Sequence, residues 1–118
     1  MRRILLIEDD EEAVRMLGIA LREAGYEVAS AATGQLALAE VAKRDPDVIL
    51  LDLFLSGDMI GGEFLGQYRR AGGRAKVIVI SGAASAEPIA RDLVVDEFVG
   101  KPFNLDRLLE SVRKFAYS

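Results

Sequence analysis

Short apolar runs alternate along this chain with stretches whose apolar residues recur every three or four positions. Ile4-Leu5-Leu6-Ile7 reads as a strand, and Val14, Leu17, Leu21 and Ala24 then mark one face of an amphipathic helix that Gly25 ends. Glu27-Val28-Ala29-Ser30 is a weaker strand, and Ala37, Leu38 and Val41 define a second helix that stops before Pro46. Val48–Leu51 is strongly apolar, Phe64, Leu65 and Tyr68 sit on a third helix closed by Gly72-Gly73, and Val77-Ile78-Val79-Ile80 is another apolar strand. A short helix is expected around Pro88 to Leu93, with the proline in its first turn. Glu97-Phe98-Val99 makes a last short strand, and Leu105, Leu108, Leu109, Val112 and Phe115 trace the final helix.

Five strands alternating with five helices predict an α/β fold, a doubly wound parallel sheet covered on both faces. Strands one, three and four are continuously aliphatic, as strands buried on both faces must be. Strands two and five are shorter or weaker and carry Glu27 and Glu97, which suits the edges. With right-handed crossovers this favours the flavodoxin-like order 2-1-3-4-5, against other doubly wound orders of the same elements. At 118 residues, residues 1–118 are expected to form one domain with a core of its own.

Composition narrows the chemistry. Cysteine and histidine are both absent, which removes disulfides, thiolate metal sites, a histidine base and most zinc sites. Fifteen Lys+Arg against 19 Asp+Glu give a net charge of −4, without a basic cluster dense enough to suggest direct nucleic-acid binding. Arg2-Arg3 before Ile4–Ile7 imitates a signal peptide, but the apolar run is short and Glu8-Asp9-Asp10-Glu11-Glu12 ends it. Since no run approaches the ~18 apolar residues of a membrane span, a soluble protein of a reducing cytoplasm is expected.

In a doubly wound sheet, ligands bind beyond the carboxyl ends of the strands. The first strand ends there in Glu8-Asp9-Asp10, the third in Asp52, the fourth in Ser81 and the fifth in Lys101. The predicted order sets Asp9 beside Asp52, flanked by Ser81 and Lys101. Two carboxylates ~4 Å apart repel by roughly 4 kcal/mol at an effective dielectric of 20. Such a cluster calls for a cation, a proton or hydrogen bonds, and an all-oxygen donor set suits a hard divalent ion such as Mg²⁺. A carboxylate held at a metal can act as a nucleophile and form an acyl phosphate, while a hydroxyl and an ammonium hold the phosphoryl oxygens. The plainer alternatives are that the acids cap the following helix, that Asp52 is a turn residue, that Ser81 caps the next helix, that Lys101 is a solvated lysine, and that Phe98 packs on an edge strand.

Four stretches in this order and spacing resemble the receiver domain of two-component response regulators over essentially the whole chain. They are Ile4-Leu5-Leu6-Ile7-Glu8-Asp9-Asp10, Pro46-Asp47-Val48-Ile49-Leu50-Leu51-Asp52, Val77-Ile78-Val79-Ile80-Ser81-Gly82 and Lys101-Pro102-Phe103. The resemblance implies a CheY-like switch that accepts a phosphoryl group on Asp52 from a histidine kinase or phosphotransfer protein and catalyses only its own phosphorylation and dephosphorylation. It implies Mg²⁺ held by Asp9, Asp52 and the backbone carbonyl of Phe54, with Glu8 acting through water. Ser81 is the implied switch hydroxyl, Lys101 the phosphate-pairing cation and Phe98 the switch aromatic. Downstream partners would read the face of the fourth helix, fifth strand and fifth helix, with no direct contact to nucleic acid or membrane. The resemblance also implies a cis Lys101-Pro102 bond.

Two departures stand out. The loop after Asp52 reads Leu55-Ser56-Gly57 where the family usually has a Leu-Pro pair, and it is about one residue longer than usual before Gly61. The Ser81–Lys101 interval is about two residues short, which predicts a brief or shifted fourth helix. Other classes fit less well. A haloacid-dehalogenase-type phosphatase needs a second aspartate where Phe54 stands, and a flavin or nucleotide binder needs a phosphate loop where the acids stand. A receiver-fold interaction module that is never phosphorylated remains the alternative.

Overall fold

The computed structural model describes residues 1–55, 60–83 and 85–118. The strands are β1 (Arg3–Ile7), β2 (Glu27–Ala31), β3 (Val48–Asp52), β4 (Lys76–Ser81) and β5 (Glu97–Gly100). The helices between and after them are α1 (Glu11–Glu23), α2 (Gly34–Lys43), α3 (Gly61–Arg70), α4 (Ala86–Asp92) and α5 (Leu105–Ala116). All pairings are parallel, in the order β2-β1-β3-β4-β5.

Alternation along each strand divides the core in two. Leu5, Ile7, Ile49, Leu51, Val77 and Val79 pack on one side with Ala37 of α2, Phe64, Leu65 and Tyr68 of α3 and Ala90 of α4. Ile4, Leu6, Val48, Leu50, Ile78 and Ile80 pack on the other with Leu17 and Leu21 of α1 and Leu108 and Val112 of α5. β1 and β3 are buried at every position, whereas β2 and β5 are only partly buried, as edges. At the amino end of the sheet Glu27 is useful rather than merely tolerated: its carboxylate pairs with Arg3 (3.5 Å) and Arg44 (2.7 Å).

The element boundaries carry small differences from expectation. β2 runs one residue further, to Ala31. Gly61 and Gly62 open α3. Gly61 is required there because a Cβ would come within 2.9 Å of the Leu53 Cα and 3.0 Å of the Asp52 carbonyl oxygen. α4 is indeed brief at seven residues, with Pro88 in its first turn. The expected irregularity at Ser56-Gly57 lies outside the described residues.

Candidate functional site

Register brings the site together. Ile7 pairs with Leu51, so Glu8 and Asp52, each one residue on, leave adjacent strands side by side. Ser81 pairs with Gly100, so Lys101 emerges next to Ser81. The ladder continues past both strand ends, with the Glu8 amide donating to the Ala31 carbonyl (3.1 Å) and the Lys101 amide to the Ser81 carbonyl (2.9 Å). The Lys101-Pro102 peptide bond is cis.

The acids after β1 divide their work. Asp10 caps α1, its carboxylate accepting from the amides of Glu12 (3.0 Å) and Ala13 (3.3 Å). Glu8 and Asp9 are thereby left to face Asp52. One carboxylate oxygen from each of Glu8, Asp9 and Asp52 lies within 4.8 Å of the others. Asp9 is the most exposed of the three and is itself engaged in an interaction. Asp52 Oδ1 accepts from the Phe54 amide (3.1 Å), which fixes its rotamer, and the Phe54 ring is 46% exposed.

Lys101 reaches in from β5. Its Nζ donates to Glu8 Oε1 at 2.9 Å and lies 3.8 Å from Asp52 Oδ2. Glu8 is 1% exposed, and its second oxygen, Oε2, is buried and meets no hydrogen-bond donor among the described residues. Burial pushes the Glu8 carboxyl up to about 7; a proton shared toward Asp52 adds to this, and Lys101 opposes it. Burial works against the charge on Lys101, but its hydrogen bond to Glu8 and the field of Glu8, Asp52 and Asp10 more than offset this and raise its pKa. Three carboxylates against one ammonium leave an excess of negative charge, and the orphaned Glu8 oxygen marks where a proton or cation belongs. The donor set, all oxygen and partly open to solvent, fits a hard divalent ion.

Ser81 is buried, and its Oγ accepts from the Ala83 amide (3.2 Å). It does not cap α4, whose N-cap is Ser85. Phe98 is half-buried against the α3–α4 side of the core, beside a cavity of about 190 Å³ that Ala90, Arg91 and Val95 also line. Sequence reasoning missed Gly61, which holds the chain after Asp52 against α3, with its amide donating to the Leu53 carbonyl (3.0 Å). The signal that could have found it was the paired glycine just before the apolar period of α3.

A parallel 2-1-3-4-5 sheet with an acid cluster and a lysine at its carboxyl edge has the form of a response regulator receiver domain. The chain matches the model of the response regulator receiver domain over residues 4–113, and it belongs to that family. It is 40% identical over 115 residues to the transcriptional regulatory protein KdpE of Mycobacterium tuberculosis, covering 96% of this chain and 50% of that protein. It is 33% identical over 109 residues to the nitrogen assimilation regulatory protein NtrX of Azorhizobium caulinodans, covering 90% and 24%. The chain thus spans about half the length of KdpE and less of NtrX. Among solved structures, the response regulator TrrA of Thermotoga maritima in complex with Mg²⁺-BeF superposes with a TM-score of 0.87 at 32% identity, covering 98% and 99%. A CheY-like receiver domain protein of Methanospirillum hungatei gives 0.90 at 30% identity, covering 99% and 94%. Family membership is consistent with phosphorylation-based two-component signalling. No helix among the described residues is long and apolar enough to cross a membrane.

Proposed function

We propose that residues 1–118 act as one receiver domain that switches when Asp52 takes a phosphoryl group from a histidine kinase or phosphotransfer protein. The observation that carries this reading is the carboxylate cluster: Asp52 sits beside Glu8 and Asp9 with Lys101 at 3.8 Å and a buried Glu8 oxygen left without a donor. Support also comes from the 32%-identical TrrA, whose structure holds Mg²⁺-BeF. Asp9, Asp52 and the Phe54 carbonyl would hold Mg²⁺, and Glu8 would reach it through water. When bound, the ion supplies charge neutralisation for the carboxylates and for the phosphoryl oxygens.

The step this chain performs is an in-line displacement. An Asp52 carboxylate oxygen attacks phosphorus, an acyl-phosphate O–P bond forms, and the donor's P–N bond breaks with its electron pair going to the departing imidazole. Lys101 follows the growing negative charge of the phosphoryl oxygens, exchanging part of its contact with Glu8 for them. In the product a phosphoryl group of about −1.5 to −2 charge with strong acceptor oxygens stands in place of the carboxylate's single charge. The Ser81 hydroxyl then leaves the Ala83 amide to donate to the phosphoryl group, and Phe98 turns inward. A downstream protein or effector domain reads α4, β5 and α5, in a cytoplasmic setting. The domain catalyses only its own phosphorylation and dephosphorylation.

Acetyl phosphate with Mg²⁺, followed by intact-mass spectrometry, tests this. The wild type is expected to gain one phosphoryl group, and Asp52→Asn none. Labelling of Asp52→Asn would place the nucleophile elsewhere. Failure of the wild type to label from acetyl phosphate and from phosphorylated kinase would favour the unphosphorylated interaction module.

A further inference from the structure

Two glutamates sit on the edge strands, and they differ in how their charge is met. Glu27 on β2 pairs with Arg3 and Arg44. Glu97 on β5 is half-buried, and its Oε2 is fully buried with no hydrogen-bond donor among the described residues. A carboxylate oxygen in that position is costly, because it has given up water and gained no bond in exchange. Asp96, one residue earlier, shows the ordinary remedy: its carboxylate accepts from the Val77 amide at 2.7 Å.

Glu97 lines the cavity of about 190 Å³ beside Phe98. Ala90, Val95 and Phe98 give this groove apolar walls, and Glu87 and Arg91 stand on its α4 side. At ~30 Å³ for each water of the liquid, the space equals about six waters, enough for one long unbranched side chain. Arg91 does not serve Glu97. Its Nη2 stands 4.0 Å from Glu87 Oε1, and both of those side chains are mostly exposed. Two carboxylates against one guanidinium leave the groove with an excess of negative charge.

Apolar walls around an unsatisfied carboxylate suit a side chain with an aliphatic stem and a cationic end, which describes lysine and arginine. A divalent metal ion suits them poorly, since the apolar walls supply no further oxygen ligands. An acidic or phosphorylated segment would meet like charge. Between the two bases, arginine is the better match, because its planar fork can bond both oxygens of one carboxylate.

We propose that the groove between α4 and β5 seats an arginine or lysine side chain of a partner polypeptide, with its stem on Ala90, Val95 and Phe98 and its charge on Glu97. The inference rests on the reading of α4, β5 and α5 as the output face and deepens it, by naming the chemistry that a downstream protein must present there.

The probe is an end-blocked pentapeptide with a central arginine between leucines and alanine at each end, titrated into the full chain and followed by amide NMR shifts. Its counterpart carries citrulline, which keeps the shape of arginine without the charge. The arginine peptide is expected to give saturable shifts at Ala90, Val95, Glu97 and Phe98, and the citrulline peptide to bind about five-fold more weakly or worse. Glu97→Gln is expected to weaken the arginine peptide by about five-fold or more. Glu23→Gln, an equal change of charge at an exposed position on α1, is expected to stay within about two-fold of wild type.

Absence of saturable shifts at these amides would overturn the proposal. So would equal binding of the two peptides, or undiminished binding by Glu97→Gln. If the same shifts arise on concentrating the protein without peptide, and light scattering then gives the mass of a dimer, the cation comes from a second copy and the separate partner is overturned. The titration needs no phosphoryl group, and labelling of the wild type by acetyl phosphate tests the phosphorylation reading, so the two can fail separately.

Discussion

Glu8 shows how one buried group ties stability to the charge state of the site. Its carboxyl stands near 4.5 in the unfolded chain and about 7 in the folded protein. Below the lower value both states hold the proton. Between the two values the folded state keeps a proton that the unfolded chain has lost, so stability falls as pH rises and stays reduced above the upper value. The loss is on the order of a few kcal/mol, since each unit of pKa difference is about 1.4 kcal/mol. Urea denaturation with EDTA at pH 5 and pH 8 is expected to show this decline, and Glu8→Gln is expected to flatten it. An equal slope in that variant would mean that other carboxylates carry the effect.

Among the elements, α3 and α4 carry the consequences of close backbone approach. A Cβ at Gly61 would meet three backbone atoms of Asp52 and Leu53 at 2.9–3.0 Å, and none of them can move without shifting the end of β3. Gly61→Ala is therefore expected to destabilise by about 1–3 kcal/mol, because overpacking outweighs the gain in helix propensity of at most about 1 kcal/mol. It should also slow labelling by acetyl phosphate. Gly62→Ala is the matched control, since its Cβ meets only the Leu93 side chain at 3.7 Å, an ordinary contact. Thermal melts of the two variants check the contrast. The brevity of α4, seven residues without a side-chain N-cap bond, leads to a further expectation. Dimerisation through this helix on phosphorylation should be weak, and light scattering after acetyl phosphate treatment should stay near the monomer mass at micromolar concentration.

For the molecule as a whole, the proposed metal site links ion binding to folding. Glu8, Asp9 and Asp52 come from two strand ends that meet only in the folded sheet, so Mg²⁺ held there as proposed would recognise the native state alone. Its stabilisation grows as RT ln(1 + [Mg²⁺]/Kd), about 2.7 kcal/mol at a hundred-fold excess over Kd. Millimolar Mg²⁺ is expected to raise the melting temperature of the wild type, and Asp9→Asn should lose most of that shift. Retention of the full shift would remove Asp9 from the metal site. The relatives' greater length adds a matter of scale: in a longer protein, the α4–β5–α5 face proposed here as the output would address an attached effector domain.

The aliphatic runs of β1, β3 and β4, the polar breaks in β2 and β5 and the helical periods between them specify the layers and the strand order, because burial on one or two faces leaves a direct mark on side-chain polarity. The acids, hydroxyl and lysine were legible for a related reason: in a parallel sheet, the residue just past each apolar run must lie at the carboxyl edge. Tertiary structure alone decided how those groups share charge. Glu8 and Lys101 are 93 positions apart, and only the register of four strands brings them to 2.9 Å with one Glu8 oxygen left over. The same holds for Gly61 against Leu53 and for Arg69 gripping the Leu93 and Val94 carbonyls. Residue type and local periodicity record burial, but a backbone approach or a bond to a distant carbonyl leaves no mark on the partner's identity, since every residue there offers the same atoms.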